Sequence, residues 1–225
     1  MVRAIERSEK IFSVSSKMIQ MYHPELMDDA GDMYSLLGWA FQRGVGQDIR
    51  RYKKACRVFS SCAGAAIYRR DIFEQIGYFD EMHFAYLEDI DVGYRARIEG
   101  YDNVYCPAAV VYHVGSGTSG SKYNSFKVKL AARNNVPLLQ LFINAVPIAA
   151  GTVLKYLFFR KLGYEKDYLE GLKEGLKTAH TCKKVKYRPE NLMHYLTIEM
   201  ELIAGTFIYM YEFAVRRRKK KTSES

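Results

Sequence analysis

The stretch that decides the fold is "FAYLEDIDVGYRARIEGYDNVYCPAAVVYH", residues 84–113. Its first part spaces apolar residues three and four apart, as along one face of an α-helix: Leu87, Ile90, Tyr94 and Ile98. A glycine ends that helix, and a run rich in β-branched and aromatic residues follows, which is typical of a strand. The pattern therefore predicts a helix over residues 86–99, with this stripe toward the core, and then an interrupted strand.

Three carboxylates begin that helix, namely Glu88, Asp89 and Asp91. Acidic residues in the first turn stabilise a helix through its dipole, each by about 0.3–1 kcal/mol. Asp91 is spaced to pair with Arg95, whereas Asp89 is predicted to lie opposite the apolar stripe and Glu88 at its flank near Arg95. Periodicity alone favours a structural role for all three, but it does not explain their aromatic-rich context.

Strands and helices alternate through the first part of the chain, which predicts an α/β layer protein. Residues 11–19 read as a strand after the end of a helix, and residues 57–70, "RVFSSCAGAAIYRR", as a strand of small residues. Asp71 is a candidate cap for a short helix, "IFEQI", that Gly77 ends. Residues 122–135 again have a helical pattern.

The C-terminal part has a different character. Residues 136–159 are apolar enough to reach across much of a bilayer, but Gln140, Asn144, Pro147 and Gly151 interrupt them. This favours a bent or interfacial helix pair over a membrane span. Residues 163–215 read as amphipathic helix, and "RRRKKKTSES" as a frayed basic end. We therefore predict two domains, a globular α/β part over residues 1–135 and a helical, basic, membrane-associated region over residues 136–225.

Composition and charge narrow the classes of function. With 48% apolar and 14% aromatic residues the chain can bury a sizeable core, which excludes global disorder. Residues 151–225 hold sixteen Lys and Arg against nine Asp and Glu, within a net charge of +9. A basic C-terminal third predicts an anionic partner such as membrane lipid or a phosphorylated substrate. A nucleic-acid partner is not expected, because no helix-turn-helix or interleaved aromatic-basic pattern is present.

The four cysteines predict reduced thiols. Cys56, Cys62, Cys106 and Cys182 lie far apart without CxxC spacing, and the first residues, "MVRAIERSEK", contain no apolar signal segment. A cytoplasmic protein without a zinc site is the simplest interpretation.

Several motifs occur in a fixed order: "CAGAAIYRR", "GYFDE", "YLEDIDVGYRAR" and "VYHVGSGTS". Together they resemble the C-terminal half of the catalytic domain of family 2 glycosyltransferases, most closely the rhamnosyltransferase-like bacterial branch. The resemblance implies the glycosyltransferase type A fold, followed by a helical C-terminal appendage.

The resemblance also implies roles for the acidic pair. Asp89 falls at the position of the catalytic base, and Glu88 would orient that base or bind the acceptor. An inverting transfer needs a carboxylate that removes a proton from the attacking hydroxyl. The nucleotide diphosphate leaves from the opposite face of the sugar, where a divalent cation, Mg²⁺ or Mn²⁺, can neutralise its charge.

Other residues receive roles from the same resemblance. Cys62, Ala63 and Gly64 match a small-residue wall beside acceptor and donor sugar, with Tyr86 nearby, although close strand-helix packing explains the small residues equally well. His113 would hold the metal or the diphosphate, or simply cap a loop. The following loop would contact the diphosphate through three hydroxyl residues, Ser116, Thr118 and Ser119.

One departure from the family is large. The family's nucleotide-binding half, with its aspartate motif, precedes the region matched here, so we expect this half, with most metal ligands, to be missing and the chain to be an inactive fragment on its own. "DDAGD", residues 28–32, is interpreted as a glycine-rich turn and a poor substitute for that motif.

The expected function is transfer of a sugar, with rhamnose as first candidate, from a nucleotide-sugar donor to a glycan or lipid-linked acceptor. It would act peripherally or monotopically at the inner face of the cell membrane, against an anionic surface. The alternative is a non-catalytic remnant, or a module that binds glycan or membrane. The sequence predicts no oligomeric state.

Overall fold

The computed structural model describes residues 1–115, 123–136, 138 and 144–223. Its main sheet is organised around β1 (Ile11–Gln20), whose inner residues are all buried. β1 pairs in parallel with β7 (Asp102–His113) along one side. Its other side pairs antiparallel with β6 (Ala66–Tyr68) near its start and with β2 (His23–Asp29) near its end. Beyond β7, β5 (Cys56–Val58) adds an antiparallel strand, which gives the order β2-β1-β7-β5.

A small second sheet lies beside the end of β2. It is a hairpin of β3 (Asp32–Tyr34) and β4 (Ala40–Gln42). A bridge between Asp32 and Ser60 ties this hairpin to the segment that follows β5. The glycine-rich region is thus made of short strands and loops, as predicted.

Seven helices occur among the described residues: α1 (Val2–Ile5), α2 (Arg70–Ile76), α3 (Glu88–Ile98), α4 (Ser125–Asn135), α5 (Ala145–Lys161), α6 (Glu165–Thr178) and α7 (Leu192–Ser223). The prediction of a mixed α/β fold is confirmed. The predicted stripe of α3 also faces a core, because Ile90, Tyr94 and Ile98 are buried with Tyr34 and Phe59 and against residues of α7, including Ile198 and Leu202.

The boundaries of several elements differ from the predictions. α3 begins at Glu88 rather than at residue 86, because Tyr86 and Leu87 have left-handed backbone angles that a helix cannot contain. The small-residue run forms two short strands separated by a 3₁₀ turn, Ala63–Ala65, rather than one strand. α2 has no side-chain cap, and Asp71 lies in its first turn. Gly77 closes α2 at φ +82°, as predicted.

The C-terminal region also departs from its prediction. α5 begins only at Ala145, and residues 137 and 139–143 of the predicted interfacial pair lie outside the described residues. The amphipathic region is two helices, α6 and α7, separated by a loop and a 3₁₀ turn. The basic end is not frayed, since α7 continues to Ser223. Across the residues described, every helix is too short or too polar to cross a membrane.

A buried ion pair fixes α3 to the preceding helix. Asp91 and Arg95 pair at 2.8 Å with side chains that are almost wholly buried, as the i, i+4 spacing predicted. The guanidinium also donates to backbone carbonyls at the end of α2 and just after it, those of Ile76, Gly77 and Tyr78. The four cysteines are free thiols, as expected.

Candidate active site

The acidic end of α3 meets the turn Ala63–Ala65. Oδ2 of Asp89 accepts a hydrogen bond from the Ala63 backbone amide at 3.3 Å, and Oδ1 accepts one from the Ile90 amide at 2.8 Å. The Ser60 hydroxyl donates to the Asp89 carbonyl. Asp89 is therefore held by amides from two elements, one of them the turn that contains the small residues Ala63 and Gly64.

Glu88 faces an open cleft of about 330 Å³ next to this turn. The lining residues are Ala63, Phe79, Asp80, Glu81, Phe84 and Glu88. The Arg95 guanidinium binds Asp91 and three backbone carbonyls, so it does not neutralise the nearby Glu88. The two carboxylates of the pair therefore have different surroundings: Glu88 lines the cleft, and Asp89 lies deeper.

Two further aspartates reach Asp89 from the turn between β2 and β3. Gly31 makes this turn at φ +100°, where a β-carbon would also collide with Val58. The turn directs Asp29 and Asp32 to the same place as Cys62, so that one ligand atom from each of the three lies within 4.8 Å of the others. Both aspartates are buried.

Several carboxyl groups are buried close together here, and this raises their pKa values. Burial raises the pKa of Asp29 to about 8, and the neighbouring Asp89 and Asp28 carboxylates add to this shift. The Gly31 amide offsets part of it, although neither oxygen of Asp29 has a hydrogen-bond partner of good geometry among the described residues. The pKa of Glu88 is also raised, first by burial and then by Asp89.

The carboxyl groups of Asp32 and Asp89 lie close enough to interact. Burial raises the pKa of both residues. The hydrogen bond between their carboxyl groups raises the pKa of Asp32 further and lowers that of Asp89. Of the two carboxyl groups, Asp32 is therefore the one whose surroundings favour the protonated form more strongly.

The other predicted site residues are placed as follows. His113 lies at the end of β7, where its Nδ1 contacts Oδ2 of Asp28 at 2.6 Å rather than joining the group of Asp29, Asp32 and Cys62. Tyr86 lies directly before α3 with φ +67°. Three predicted diphosphate contacts, Ser116, Thr118 and Ser119, lie outside the described residues.

The loop before α3 is strained and clamped. Phe84, Tyr86 and Leu87 all have positive φ without being glycine, which costs of order 1–3 kcal/mol each. Two neighbouring residues of α4 hold this loop. The Asn134 side-chain amide donates to three of the loop's carbonyls, those of His83, Ala85 and Tyr86. The Arg133 guanidinium donates to the carbonyls of Met82 and His83.

The acidic group fits a divalent cation in part. Carboxylate oxygens are the ligands that Mg²⁺ and Mn²⁺ prefer, and Asp29 offers two oxygens without hydrogen-bond partners. A thiol is a softer ligand, and burial raises the pKa of Cys62 far above its usual range, so it contributes little to holding Mg²⁺. The two aspartates are therefore the suitable ligands.

Asp29 and Asp32 are the site residues that the sequence reasoning missed. The sequence pattern of "DDAGD" indicates only a glycine-rich turn that resembles the segment following the family's aspartate motif. The feature that could have identified them is their position. Asp29 and Asp32 lie on either side of Gly31, where β2 ends and the chain turns back. Such a turn brings both side chains to one edge of the sheet.

The family model and the similar proteins found by comparison are all glycosyltransferases. The family described as "Glycosyltransferase like family 2" matches residues 5–135. The chain is similar to an N-acetylglucosaminyl-diphospho-decaprenol L-rhamnosyltransferase of Mycobacterium tuberculosis, with 44% identity over 52 residues, which is 23% of this chain and 17% of that protein. It is also similar to a low-salt glycan biosynthesis hexosyltransferase of Haloferax volcanii, with 28% identity over 116 residues, or 47% of this chain and 38% of that protein. The matched stretch is therefore a minor part of each of these relatives.

Proposed function

The chain belongs to the transferases described as glycosyltransferase like family 2, and we propose that it takes part in sugar transfer from a nucleotide diphosphate donor to a hydroxyl group of a glycan. Its mixed α/β fold is consistent with the type A fold of nucleotide-sugar transferases. The observation that carries the proposal is the Asp89 carboxylate, held by the Ala63 amide and lying beside the buried carboxyl groups of Asp29 and Asp32.

In the proposed reaction Asp89 is the general base. It removes the proton from the acceptor hydroxyl while that oxygen attacks the anomeric carbon, and the diphosphate departs from the opposite face with the bonding electrons. Inversion of the anomeric centre follows from this single displacement. The Ala63 and Ile90 amides hold the Asp89 carboxylate in place while it receives the acceptor's proton.

Glu88 and the small-residue turn have supporting roles in this proposal. Glu88 lines the cleft and would hydrogen-bond other hydroxyls of the acceptor. Cys62, Ala63 and Gly64 would leave room for a sugar ring to lie against the backbone, and Tyr86 stays a predicted contact for the acceptor or the donor sugar. His113, with Ser116, Thr118 and Ser119, stays a predicted contact for the metal and the diphosphate.

A divalent cation, Mg²⁺ or Mn²⁺, would be held by Asp29 and Asp32, whose carboxyl groups lie together in the described part of the chain. When bound, it would neutralise the negative charge that develops on the leaving diphosphate. Its binding would also displace protons from both aspartates, since metal ligation requires the ionised carboxylate.

The proposed substrates follow from the rhamnosyltransferase likeness. The donor would be deoxythymidine diphosphate rhamnose. The acceptor would be an N-acetylglucosaminyl diphosphate carried by a polyprenol, as the name of the mycobacterial relative specifies for that protein. Such an acceptor is embedded in lipid, which supports a location at the anionic inner face of the cell membrane.

The test is a transfer assay with the purified chain, this donor and this acceptor, in the presence of Mn²⁺. The sequence predicts that the chain alone is inactive, but the carboxyl groups of Asp29, Asp32 and Asp89 lie together in it. The proposal therefore expects a rhamnosylated product, detected by mass spectrometry, and its loss in the Asp89→Asn variant. Equal product with both proteins would refute the role of Asp89. Acceptor binding without any transfer would favour the alternative, a module that binds glycan.

A further inference from the structure

Helix α7 directs its acidic side chains toward the rest of the chain and its apolar side chains outward. Glu201 points inward to Arg97, Glu212 to the Gly44 amide and Glu199 to the Asn144 side chain. Every exposed residue from Leu192 to Ala214 is uncharged. A helix facing water normally shows the reverse arrangement, with charges outward and apolar residues inward.

The outward residues of α7 form a continuous apolar stripe. They alternate at intervals of three and four along the helix: Met193, Leu196, Met200, Ile203, Phe207 and Met210. Met200 is 66% exposed and Phe207 68% exposed, so these side chains contribute little to the core of the chain. A contiguous exposed patch of large apolar side chains marks a surface that contacts something other than water.

Helix α5 has the same arrangement. Its one charged residue before the last turn, Lys155, is buried and donates to the Gly38 carbonyl at 2.6 Å. Its large exposed residues before Arg160 are all apolar, namely Val146, Val153, Leu154, Leu157 and Phe158. Two helices of this region therefore direct apolar residues outward and their charged residues inward.

Helix α6 provides an internal comparison. It packs against α4 through Gly171 and Gly175, and its exposed residues include several charged side chains: Lys166, Glu170, Lys173 and Lys177. Its outer face is that of an ordinary helix in water, so the apolar outer faces are a property of α5 and α7 and not of the whole C-terminal region.

The two apolar helices flank the same segment of the chain. Gly151 of α5 packs on the Leu37 carbonyl, and Gly205 of α7 packs on the Tyr34 carbonyl. The Asn144 side-chain amide, at the start of α5, donates to Glu199 of α7 at 2.7 Å. α5 and α7 are thus neighbours around the β3–β4 hairpin.

The charges next to the apolar outer faces of α5 and α7 indicate what kind of partner covers these faces. The exposed Arg160 and Lys161 end α5, and the sequence continues α7 with "RRRKKK" at 216–221. Apolar faces followed by basic residues match an anionic membrane surface, into which amphipathic helices sink by about 5–10 Å. A second copy fits less well, because the positions flanking the α7 stripe contain only one charged residue, Glu199, which is already bonded to Asn144.

We propose that the outer faces of α5 and α7 form a single docking surface for the interface of an anionic membrane. This inference rests on the lipid-linked acceptor of the proposed function and gives the membrane a defined contact. It orients the chain by two helices that lie along the membrane plane.

The experiment is cosedimentation of the full chain with vesicles of phosphatidylcholine alone or mixed with phosphatidylglycerol. Two pairs of substitutions add charge to the surface, Met200→Glu with Phe207→Glu on α7, and Val153→Glu with Leu157→Glu on α5. The matched control adds the same two charges to α6 through Leu169→Glu and Leu176→Glu. All six side chains are at least 42% exposed, so folding should persist, and circular dichroism checks this.

We expect the wild type to prefer the anionic vesicles. Each pair on the proposed surface should weaken this binding by about tenfold or more, since binding scales with buried apolar area, while the α6 pair keeps it. Equal weakening by the α6 pair, or no binding by the wild type, would overturn the proposal. So would self-association, measured by sedimentation velocity without vesicles, that the α7 pair abolishes while vesicle binding persists.

A second readout separates this inference from the proposed function. Transfer to a short, water-soluble acceptor should be unchanged by the α5 and α7 pairs. If vesicle binding behaves as expected and no variant or wild-type protein transfers sugar, the docking surface stands and the transfer proposal fails.

Discussion

The backbone amide of Ala63 donates to Oδ2 of Asp89 at 3.3 Å, across 26 positions of sequence. This contact joins the small-residue turn to the acidic end of α3. It also places an amide dipole on a carboxylate whose burial disfavours its charge. Asp89 therefore stays more readily ionised than its burial alone would permit.

Replacing Asp89 by Asn should abolish most transfer. The change keeps the shape of the side chain and removes the base, so we expect kcat to fall by about 10²–10⁴-fold, the usual contribution of a general base. The measurement is initial rate against acceptor concentration. Glu88→Gln is the matched comparison and should mainly raise the KM for acceptor. A larger loss of kcat in Glu88→Gln than in Asp89→Asn would assign the base to Glu88 instead.

The Asp29→Asn variant should become more stable than the wild type as pH rises. The folded-state pKa of Asp29 is raised from 3.8 to about 8, so its contribution is fully present below the unfolded value and is lost as pH rises to about 8. The Asn side chain does not ionise, so the variant does not lose this stability as pH rises. The melting temperature of the variant, with a chelator present, should exceed that of the wild type by a few degrees at pH 8, where 1 kcal/mol corresponds to roughly 2–4 °C.

The difference between these two proteins should shrink toward pH 4, where Asp29 is protonated in the folded state. A constant difference across this range would show that the carboxyl group does not titrate as proposed.

Binding of Mn²⁺ should depend on the two buried aspartates. Electron paramagnetic resonance of free Mn²⁺ measures the bound fraction directly, without any catalytic assay. Asp29→Asn and Asp32→Asn should each weaken binding by at least about tenfold, equivalent to the loss of about 1.4 kcal/mol. Cys62→Ser should bind nearly as well as the wild type, because a thiol adds little to an oxygen-preferring ion.

A His113→Gln variant belongs in the same series. Full loss of Mn²⁺ binding in this variant, with binding retained in Asp32→Asn, would move the site to His113 and Asp28.

Replacing Arg95 by Met should destabilise the chain strongly. It leaves the Asp91 carboxylate buried without its partner and removes the donor to three carbonyls around the end of α2, so we expect a loss of about 3–5 kcal/mol in the free energy of unfolding. Urea denaturation measures it. Adding Asp91→Leu should recover much of the loss, since an apolar pair of similar volume is often neutral. A single variant within about 1 kcal/mol of the wild type would contradict this account.

Much of α3 could be predicted because its information is local. The spacing of Ile90, Tyr94 and Ile98 specified the buried face, and the i, i+4 spacing specified the Asp91–Arg95 pair. The start of α3 could not be predicted in the same way. Tyr86 is compatible with a helix by propensity, and only contacts from Asn134, in another helix, hold it in the left-handed region.

Only the part of the candidate site that depends on local sequence could be predicted. Asp89 and Glu88 lie within a recognisable motif, whereas Asp29 and Asp32 matter only because a turn and a distant strand bring them to the same carboxylate. Helix α7 shows a further limit. Its apolar residues occupy most faces of the helix, so periodicity cannot say that Ile198 and Leu202 point inward and Met200 and Phe207 outward. That choice is made by long-range partners such as Arg97, which binds Glu201.

The clamp that Asn134 makes on the loop before α3 has a consequence for the order of events during synthesis. The ribosome completes the acidic stretch about fifty residues before it adds the residue that fixes it. Until α4 has emerged and docked, the carbonyls of His83, Ala85 and Tyr86 lack this donor. The loop before Asp89 can therefore be fixed in its final conformation only after residue 134 has been synthesised.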